Sequence, residues 1–580
     1  MATEEVCTNN PQGRKLAGGL GALLLYPALF WGQFWMWKAL PAQAPIEPLA
    51  IGLGLTFAGL LALALRNRQA AALEALNRYR APLLLGALLA VTGFHIARYA
   101  SVAPFLPYDY DSRVNMDTFA LDFQAKVFSE GKLWAEAPGA SFDTLGVVQF
   151  EGRWFGRYAP LTPLYFALGE GLLKDAHPLA ILLPLLAALL AGLLAAELFG
   201  ASAGYLAAAL WLVSKEALVI FPTVRSNPVA AVLLLVGAWA AVKFAKGGRP
   251  GWALLVALAL VLQLNNRAFD GLIMALGLGV YALLLLKPSR RRGLALGLAT
   301  LAGITFGFGV ILGLNHLYTG DALTAPFHLL SPRDLPGFGP RQVSPGTTLV
   351  NYTPAAMLPN VLAPFNALWR ACTPLGILLL ALTWPRLWRK HKAETGLLLA
   401  CALGLSIYGL YWFPSPRYGM VIAPFVAVFV AGACLGGSAK RWWRLLLGLF
   451  LVAQFVITPS LTAAKCNLRP VAQPAELALL EEARSAPTLV FLSPATTLAD
   501  DLAGHKRILA AREIGRPNTG LGALIPSPTL NSLLVVALDR GAMANAEVIR
   551  RLSGRRVLLA VYDEEGAVTL APYRPEGETP

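Results

Sequence analysis

The chain has little charge, few histidines and few cysteines. Charged residues make up 14% of its 580 residues, whereas hydrophobic residues make up 56%. This composition excludes a soluble enzyme and is typical of a polytopic membrane protein. Five cysteines without a CxxC pair and six scattered histidines provide no metal-ligand spacing. We therefore expect no required cofactor, with a divalent metal left open, and no disulfide framework, although Cys372 and Cys466 could pair.

Apolar windows of about 18 to 22 residues, the length that crosses roughly 30 Å of hydrocarbon, recur along the chain. They predict an all-α polytopic membrane protein with about thirteen transmembrane helices. The windows are 16–37, 46–65, 82–101, 178–198, 203–221, 227–245, 252–266, 268–286, 293–314, 371–385, 395–412, 418–436 and 445–462.

The net charge of +15 is explained by where the lysines and arginines lie along the chain. If the N-terminus is cytoplasmic, the lysine and arginine clusters between windows fall on one side, as the positive-inside rule requires. The basic residues then reflect the orientation of the protein in the membrane, so we expect no nucleic-acid partner. The same membrane topology places residues 102–177, 315–370 and the tail after about 463 on the outer face. Residues 1–15 lack a cleavage-site pattern, so the first window is expected to be a retained anchor.

Four regions follow from this pattern. We expect transmembrane helices over 1–101, a large outer loop over 102–177, a transmembrane core with a further outer loop at 315–370 over 178–462, and an outer α/β domain over 463–580. The last region has strand-length apolar runs at 488–492, 532–538 and 557–562, with helical spacing over 543–552. This domain is either an acceptor-binding or lid domain or a passive appendage.

The large outer loop contains the first candidate for catalysis. Helical spacing over 118–130 makes an apolar stripe, which predicts a helix lying in the membrane interface. Asp117 stands at the start of this helix, where it could be an N-cap, a general base, or both. Asp111 is a second candidate base in the same loop. The stripe consists of Phe119, Phe123, Val127 and Phe128.

Arginines supply the candidate phosphate ligands. Residues 152–164 are predicted to begin a second interfacial segment, in which Arg157 is either a ligand for a lipid phosphate or a loop-stabilising, snorkelling arginine. We expect its side chain to lie outside the packed helices. Arg225, at the outer end of a window, is a weaker phosphate candidate and otherwise a snorkelling anchor.

Several short motifs resemble those of family 39 glycosyltransferases of the GT-C fold, a group that includes protein O-mannosyltransferases and lipid A aminoarabinose transferases. The similarity lies in Asp117-Thr118-Phe119, the run from Arg157 to Leu164, Asn266 to Asp270, Thr319 to Leu323 with Pro326 and Pro336-Gly337-Phe338-Gly339, Pro416-Arg417-Tyr418 and the tail from Val535 to Arg574.

This resemblance implies an inverting bacterial enzyme of the inner (plasma) membrane. Such an enzyme takes a sugar from a polyprenyl phosphate and transfers it to a hydroxyl of a glycan, lipid or protein acceptor on the outer face, without a nucleotide. In this comparison Asp117 is the general base, with Asp111 in reserve. The donor phosphate and sugar would contact Arg157, Tyr158, Arg225, Arg267, Asp270 and Arg417.

Two other classes of function stay open. One is a transporter or flippase of a lipid-linked or anionic solute, and the other is a non-catalytic envelope assembly protein. Transporters usually place polar residues near the membrane midplane and often contain an internal repeat. The polar clusters of this chain lie at predicted outer boundaries and no repeat is evident, which favours the transferase.

Overall fold

A computed structural model describes the chain from residue 116 to residue 573 with gaps. The described residues are 116–142, 146–174, 176–212, 214, 216–217, 221–342, 349–371, 374–413, 415–435, 486–492, 528–531, 533–562 and 568–573. The apolar windows 16–37, 46–65, 82–101 and 445–462, together with Asp111, Cys372 and Cys466, lie outside the described residues.

Most of the described structure is helical. Among the described residues, five helical segments are long and apolar enough to cross a membrane: Pro178–Phe199, Ser226–Gly247, Ala268–Leu286, Arg290–Thr319 and Lys392–Leu410. The other predicted spans stay predictions. The helices of this region are α3 His177–Phe199, α4 Ala201–Leu212, α5 Ser226–Gly247, α6 Pro250–Leu264, α7 Ala268–Leu286, α8 Arg290–Thr319, α9 Pro326–Leu330, α10 Met357–Ala371, α11 Pro374–Lys390, α12 Lys392–Gly404 and α13 Ala423–Leu435.

Three predicted windows end or begin differently in the structure. The window 203–221 corresponds to α4, which ends at Leu212. The windows 395–412 and 418–436 each combine an α-helix with a 3-10 segment, Leu405–Leu410 after α12 and Pro416–Val421 before α13. Because hydropathy does not distinguish an α-helix from a tighter 3-10 turn, the windows could not predict these changes.

Small residues let the helices of the bundle approach closely. Gly192 of α3 faces Gly204 of α4, and a Cβ atom added at Gly204 would lie 2.6 Å from the carbonyl oxygen of Gly192. Alanine or any larger residue at position 204 would therefore push these two helices apart.

Residues 116–156 form a compact group that we call the loop unit. It contains helix α1 Met116–Ser129 and strands β1 Ala135–Glu136, β2 Val147–Phe150 and β3 Arg153–Gly156, in the order β1-β3-β2. Glu151 and Gly152, with φ angles of 49° and 74°, connect β2 to β3. Two central residues at positive φ are what a tight hairpin requires. The segment predicted to be interfacial thus begins as a strand, and helix α2 follows it at Leu161–Leu173.

Helix α1 packs against protein on its apolar side. Phe123 and Val127 are fully buried, and the Phe123 ring lies 4.4 Å from the Trp154 ring of β3. The interpretation of this stripe as a membrane-facing surface is therefore wrong for Phe123 and Val127. Gly131, at a φ of 73°, follows the end of the helix, where glycine readily adopts this left-handed backbone conformation. The side chain of Phe119 lies outside the described residues.

A second sheet is formed by the end of the chain. It contains β6 Thr488–Leu492, β7 Leu534–Leu538, β8 Arg556–Tyr562 and β9 Val568–Pro572, in the order β7-β6-β8-β9, with helix α14 Ala542–Arg551 between β7 and β8. Strand β6 pairs in parallel with both β7 and β8. We call these elements the terminal sheet.

The terminal sheet and the loop unit share one hydrophobic core. Leu489 and Phe491 of β6 are buried in the same cluster as Phe123 and Trp154. At the edge of this core, Arg551 of α14 lies 3.6 Å from Glu136 of β1. A short two-stranded sheet, β4 Gly339–Arg341 with β5 Val350–Tyr352, lies elsewhere in the chain, between α9 and α10.

Candidate functional site

The candidate site lies where several helices begin. Helices α2, α5 and α7 start at Leu161, Ser226 and Ala268. The hydroxyl of Thr162 donates to the side-chain oxygen of Asn266, and the amide of Asn266 donates to the carbonyl of Ser226 at 3.1 Å. Helix N-termini carry partial positive charge, so their convergence favours an anionic ligand.

Asp117 lies in the first turn of α1 and is the carboxylate of this site. It accepts a hydrogen bond from the hydroxyl of Tyr158, and its oxygens lie 3.9 Å from Arg157 and 3.6 Å from Arg417. Its side chain is 38% exposed. Burial raises the pKa of Asp117, but the charges of Arg417, Arg157 and Arg225 and the Tyr158 hydrogen bond outweigh burial and hold the pKa below its ordinary value.

Arg157 is buried beside Asp117. Only 4% of its side chain is exposed, and its guanidinium lies 4.8 Å from the ring centres of Tyr158 and Phe327. It donates to the hydroxyl of Tyr158 at 2.6 Å and to the hydroxyl of Ser331 at 3.5 Å. The expectation that this side chain lies outside the packed structure is wrong, because residues distant in sequence, Phe327 and Ser331, cover it.

Arg417 is the more accessible arginine on the carboxylate. Its side chain is 31% exposed, and its Nε donates to the hydroxyl of Ser415 at 3.3 Å. The carbonyl of Arg417 accepts from the amide of Asn227 at 3.2 Å, which ties the 3-10 segment to the start of α5. Arg225 precedes α5 directly and acts electrostatically on Asp117.

Arg267 and Asp270 form a neighbouring ion pair at the start of α7. The Nε of Arg267 lies 2.5 Å from Asp270, whose side chain is completely buried. The hydroxyl of Tyr408 donates to the other oxygen of Asp270 at 2.7 Å, and Arg267 donates to Ser226 at 3.1 Å. These contacts support a role for Asp270 in orienting Arg267.

The structure adds residues that the sequence motifs did not indicate. Tyr418 stacks on Tyr408 at 4.0 Å, and the guanidinium of Arg267 lies 5.5 Å from the Tyr418 ring centre. Asp334, in the loop after α9, accepts from Tyr411 and Trp412. Tyr418 belongs to the Pro-Arg-Tyr motif and could have been selected. Asp334 lies between Pro326 and Pro336 of the similar outer loop, but it is not one of the residues that carry the similarity.

No group of three or more His, Cys, Asp or Glu side chains able to hold a metal occurs among the described residues. The carboxylates of the site are instead surrounded by arginines and tyrosines. Within the described ranges, the chemistry that these residues can supply is proton transfer by a carboxylate and stabilisation of an anion by guanidinium groups.

Comparison with solved structures finds similar folds at low sequence identity. ArnT from Cupriavidus metallidurans bound to undecaprenyl phosphate is 14% identical over 79% of this chain and 78% of its own, with a TM-score of 0.42. The archaeal oligosaccharyltransferase AglB from Archaeoglobus fulgidus, in complex with an inhibitory peptide and a dolichol-phosphate, is 11% identical over 87% of this chain and 75% of its own, with a TM-score of 0.42. Comparisons with protein-family models and with curated proteins find no match.

Both neighbours have the GT-C fold, the fold class to which the sequence motifs were similar. Likeness at this level assigns no residue and no activity to the chain. The function is therefore inferred from the side chains of the site.

Proposed function

We propose that this chain is an integral-membrane, inverting glycosyltransferase that moves a sugar from a polyprenyl phosphate to an acceptor hydroxyl on the outer face of a bacterial plasma membrane. One observation carries the proposal. The accessible carboxylate of Asp117 lies between Arg157 and Arg417, at 3.9 and 3.6 Å, where helix N-termini converge. A base and an anion site are therefore adjacent.

The anion site fits a lipid phosphate. Arg417 is partly exposed and Arg225 lies close enough to act on the same carboxylate, so these two can approach a phosphate. Their charge, added to the helix N-termini, would stabilise the negative charge that grows on the phosphate as the sugar leaves. Arg267 is held by Asp270 and Tyr408 at the rear of the same site and adds to the positive potential.

Arg157 and Tyr158 have a different role in this proposal. Both touch Asp117, and Arg157 is almost completely buried. They hold the carboxylate in one orientation and keep it ionised, since their charge and hydrogen bond favour the deprotonated form. The assignment of Arg157 as the main phosphate ligand thus gives way to Arg417 and Arg225.

The reaction is one displacement. The acceptor oxygen forms a bond to C1 of the sugar while the bond from C1 to the phosphate oxygen breaks, and Asp117 takes the proton of the attacking hydroxyl. General base catalysis of this kind contributes roughly 10²- to 10⁴-fold. Attack opposite the leaving phosphate inverts the anomeric carbon, and the polyprenyl phosphate leaves with the electron pair.

The domain organisation is part of the same proposal. We place the loop unit and residues 463–580 on the outer face, with the N-terminus in the cytoplasm. The shared core, with Phe491 of the terminal sheet against the Trp154 cluster, argues against a passive appendage. A domain joined in this way to the helix that carries Asp117 fits an acceptor-side role. The acceptor is a glycan, lipid or protein hydroxyl.

Reconstituted protein tests the proposal. Vesicles containing wild type or Asp117→Asn would receive short-chain polyprenyl phosphates carrying labelled hexoses or pentoses. We expect label to leave the lipid with wild type and not with the variant. If label crosses the bilayer while the donor stays intact, the protein is a flippase and the proposal is wrong.

A further inference from the structure

A second carboxylate, that of Asp334, lies close enough to Arg157 to act on it electrostatically, as Asp117 does. Asp334 follows α9, and its backbone N–H closes a turn on the carbonyl of Ser331 at 3.0 Å. Ser331 is itself the residue to which Arg157 donates. One short segment therefore covers Arg157 and presents a carboxylate next to it.

The carboxylate of Asp334 is buried among neutral donors. Asp334 is 6% exposed. Trp412 Nε1 donates to one of its oxygens at 2.7 Å and the Tyr411 hydroxyl donates to the other at 3.0 Å. In the described part of the chain it forms no ion pair within 4.0 Å. Burial raises its pKa, and the hydrogen bonds and the charges of Arg157 and His328 only partly offset burial.

These contacts leave acceptor capacity on the carboxylate. Two oxygens offer about four lone-pair positions, of which the contacts with Tyr411 and Trp412 occupy two. Burying a carboxylate without an ion-pair partner is costly, which favours a ligand that adds hydrogen bonds to it. A ligand that donates a hydrogen bond would use the remaining positions.

The surroundings match a sugar ring better than a phosphate. Tyr411 and Trp412 place aromatic groups at the carboxylate, whereas Arg417 and Arg225 act on Asp117. Arg157 contacts both Asp117 and Ser331, whose carbonyl accepts from the backbone of Asp334, so the two carboxylates belong to one site. Aromatic faces pack against the C–H groups of a sugar, and a carboxylate accepts from its hydroxyls.

Resting on the proposed function, we propose that Asp334 determines sugar specificity by accepting a hydrogen bond from a hydroxyl group of the transferred sugar, with Trp412 and Tyr411 holding the carboxylate in place. Asp117 acts on the acceptor hydroxyl, while Asp334 recognises the donor sugar.

The experiment pairs a protein change with a donor change. The probe is the polyprenyl-phosphate hexose or pentose that the wild type uses best, together with its monodeoxy analogues. For wild type, loss of the recognised hydroxyl should lower kcat/KM by about 10- to 100-fold. For Asp334→Asn, kcat/KM for the parent sugar should fall by a similar factor. Removing the same hydroxyl from the sugar should then lower kcat/KM of this variant by less than about threefold.

Controls separate this role from structural damage. Asp321→Asn makes the same change in a neighbouring loop, where Asp321 bonds to Thr324 and Leu323. This variant should respond to each deoxy sugar as wild type does. Trp412→Phe removes one donor to Asp334 and should reduce the discrimination in part.

The outcomes are distinguishable. If wild type transfers sugar and the deoxy effects in Asp334→Asn equal those of wild type, the specificity role is wrong while the transferase stands. If Asp334→Asn lowers kcat by the same factor for every donor, the residue acts on the chemical step and the inference is overturned. If wild type transfers from no member of the donor panel, the proposed function itself fails.

Discussion

Arg417 lies 3.6 Å from the carboxylate of Asp117, close enough for attraction and too far for a hydrogen bond. An arginine in this position lowers the pKa of the carboxyl, and while its Nε donates to Ser415 its terminal N–H groups can still reach another anion. The protonation state of Asp117 is therefore linked, through Arg417, to the occupancy of the proposed phosphate site.

Asp117→Asn should abolish sugar transfer, lowering the rate by about 10²- to 10⁴-fold, because asparagine cannot take the acceptor proton. Donor phosphate should bind at least as tightly, since one negative charge near the arginines is removed. Transfer assays and binding of polyprenyl phosphate measured separately check both effects. Asp122→Asn is the control on the same helix, where Asp122 pairs with Lys126 at 2.8 Å.

Arg417→Gln should raise the KM for the donor by about 10- to 100-fold, the loss of one charge-assisted hydrogen bond, with little change in thermal stability. Initial rates against donor concentration give the KM. Arg153→Gln is a matched arginine variant, since Arg153 lies over Trp134 at 4.7 Å in the loop unit. An equal rise in KM for both variants would contradict the assignment.

When kcat/KM is plotted against pH, the fall on the acidic side should occur below 3.8, the ordinary pKa of this carboxyl. The reason is that the arginines lower the pKa of Asp117. The carboxylate, and the stability that it contributes, are present above pH 3.8 and are lost as pH falls through the lowered pKa. Removing Arg417, the largest of the lowering influences, should move this fall to higher pH. A fall that does not move in Arg417→Gln would show that another group titrates.

Asp270→Asn should destabilise the protein by about 3 to 5 kcal/mol, because it leaves Arg267 without its buried partner. Thermal unfolding in detergent measures the loss. Glu197→Gln is the comparison: Glu197 pairs with Lys243 at 2.7 Å, but both side chains are partly exposed, so we expect about 1 kcal/mol or less. Similar losses in the two variants would mean that the Arg267 pair is not in a low-dielectric setting.

Phe491→Ala should reduce stability by about 3 to 5 kcal/mol and lower transfer as well, although Phe491 is in the terminal sheet. The reason is the core that it shares with Phe123 and Trp154. Protease resistance of the loop unit and the transfer rate should fall together. Leu533→Ala, at an exposed position beside the same sheet, should change neither.

The membrane helices that match the predicted windows best are those with long uninterrupted apolar runs. The window 178–198 corresponds to α3, and 268–286 matches α7 at both ends. The strand-length runs 488–492 and 557–562 are strands β6 and β8, within one residue. In these segments the pattern of apolar residues is enough to predict the helix or strand, because the element does not depend on contacts with distant residues.

The sequence indicated several side chains that lie together in the structure, but it did not indicate the geometry of the site. Asp117, Tyr158 and Arg417 do meet, but the burial of Arg157 depends on Phe327 and Ser331, which are far away in sequence. The stripe on α1 looked suitable for lipid because an apolar surface has the same spacing whether it faces a membrane or a sheet. Asp334 was missed because its partners, Tyr411 and Trp412, are distant in sequence.

The core shared by the first and last described parts of the chain bears on how the protein is made. A ribosome synthesises α1 and Trp154 long before Leu489 and Phe491, which follow more than three hundred residues later in the chain. A prematurely terminated product can insert its apolar helices and still lack the strands that complete packing around α1. Under the proposed function, such incomplete copies would not consume lipid-linked sugar.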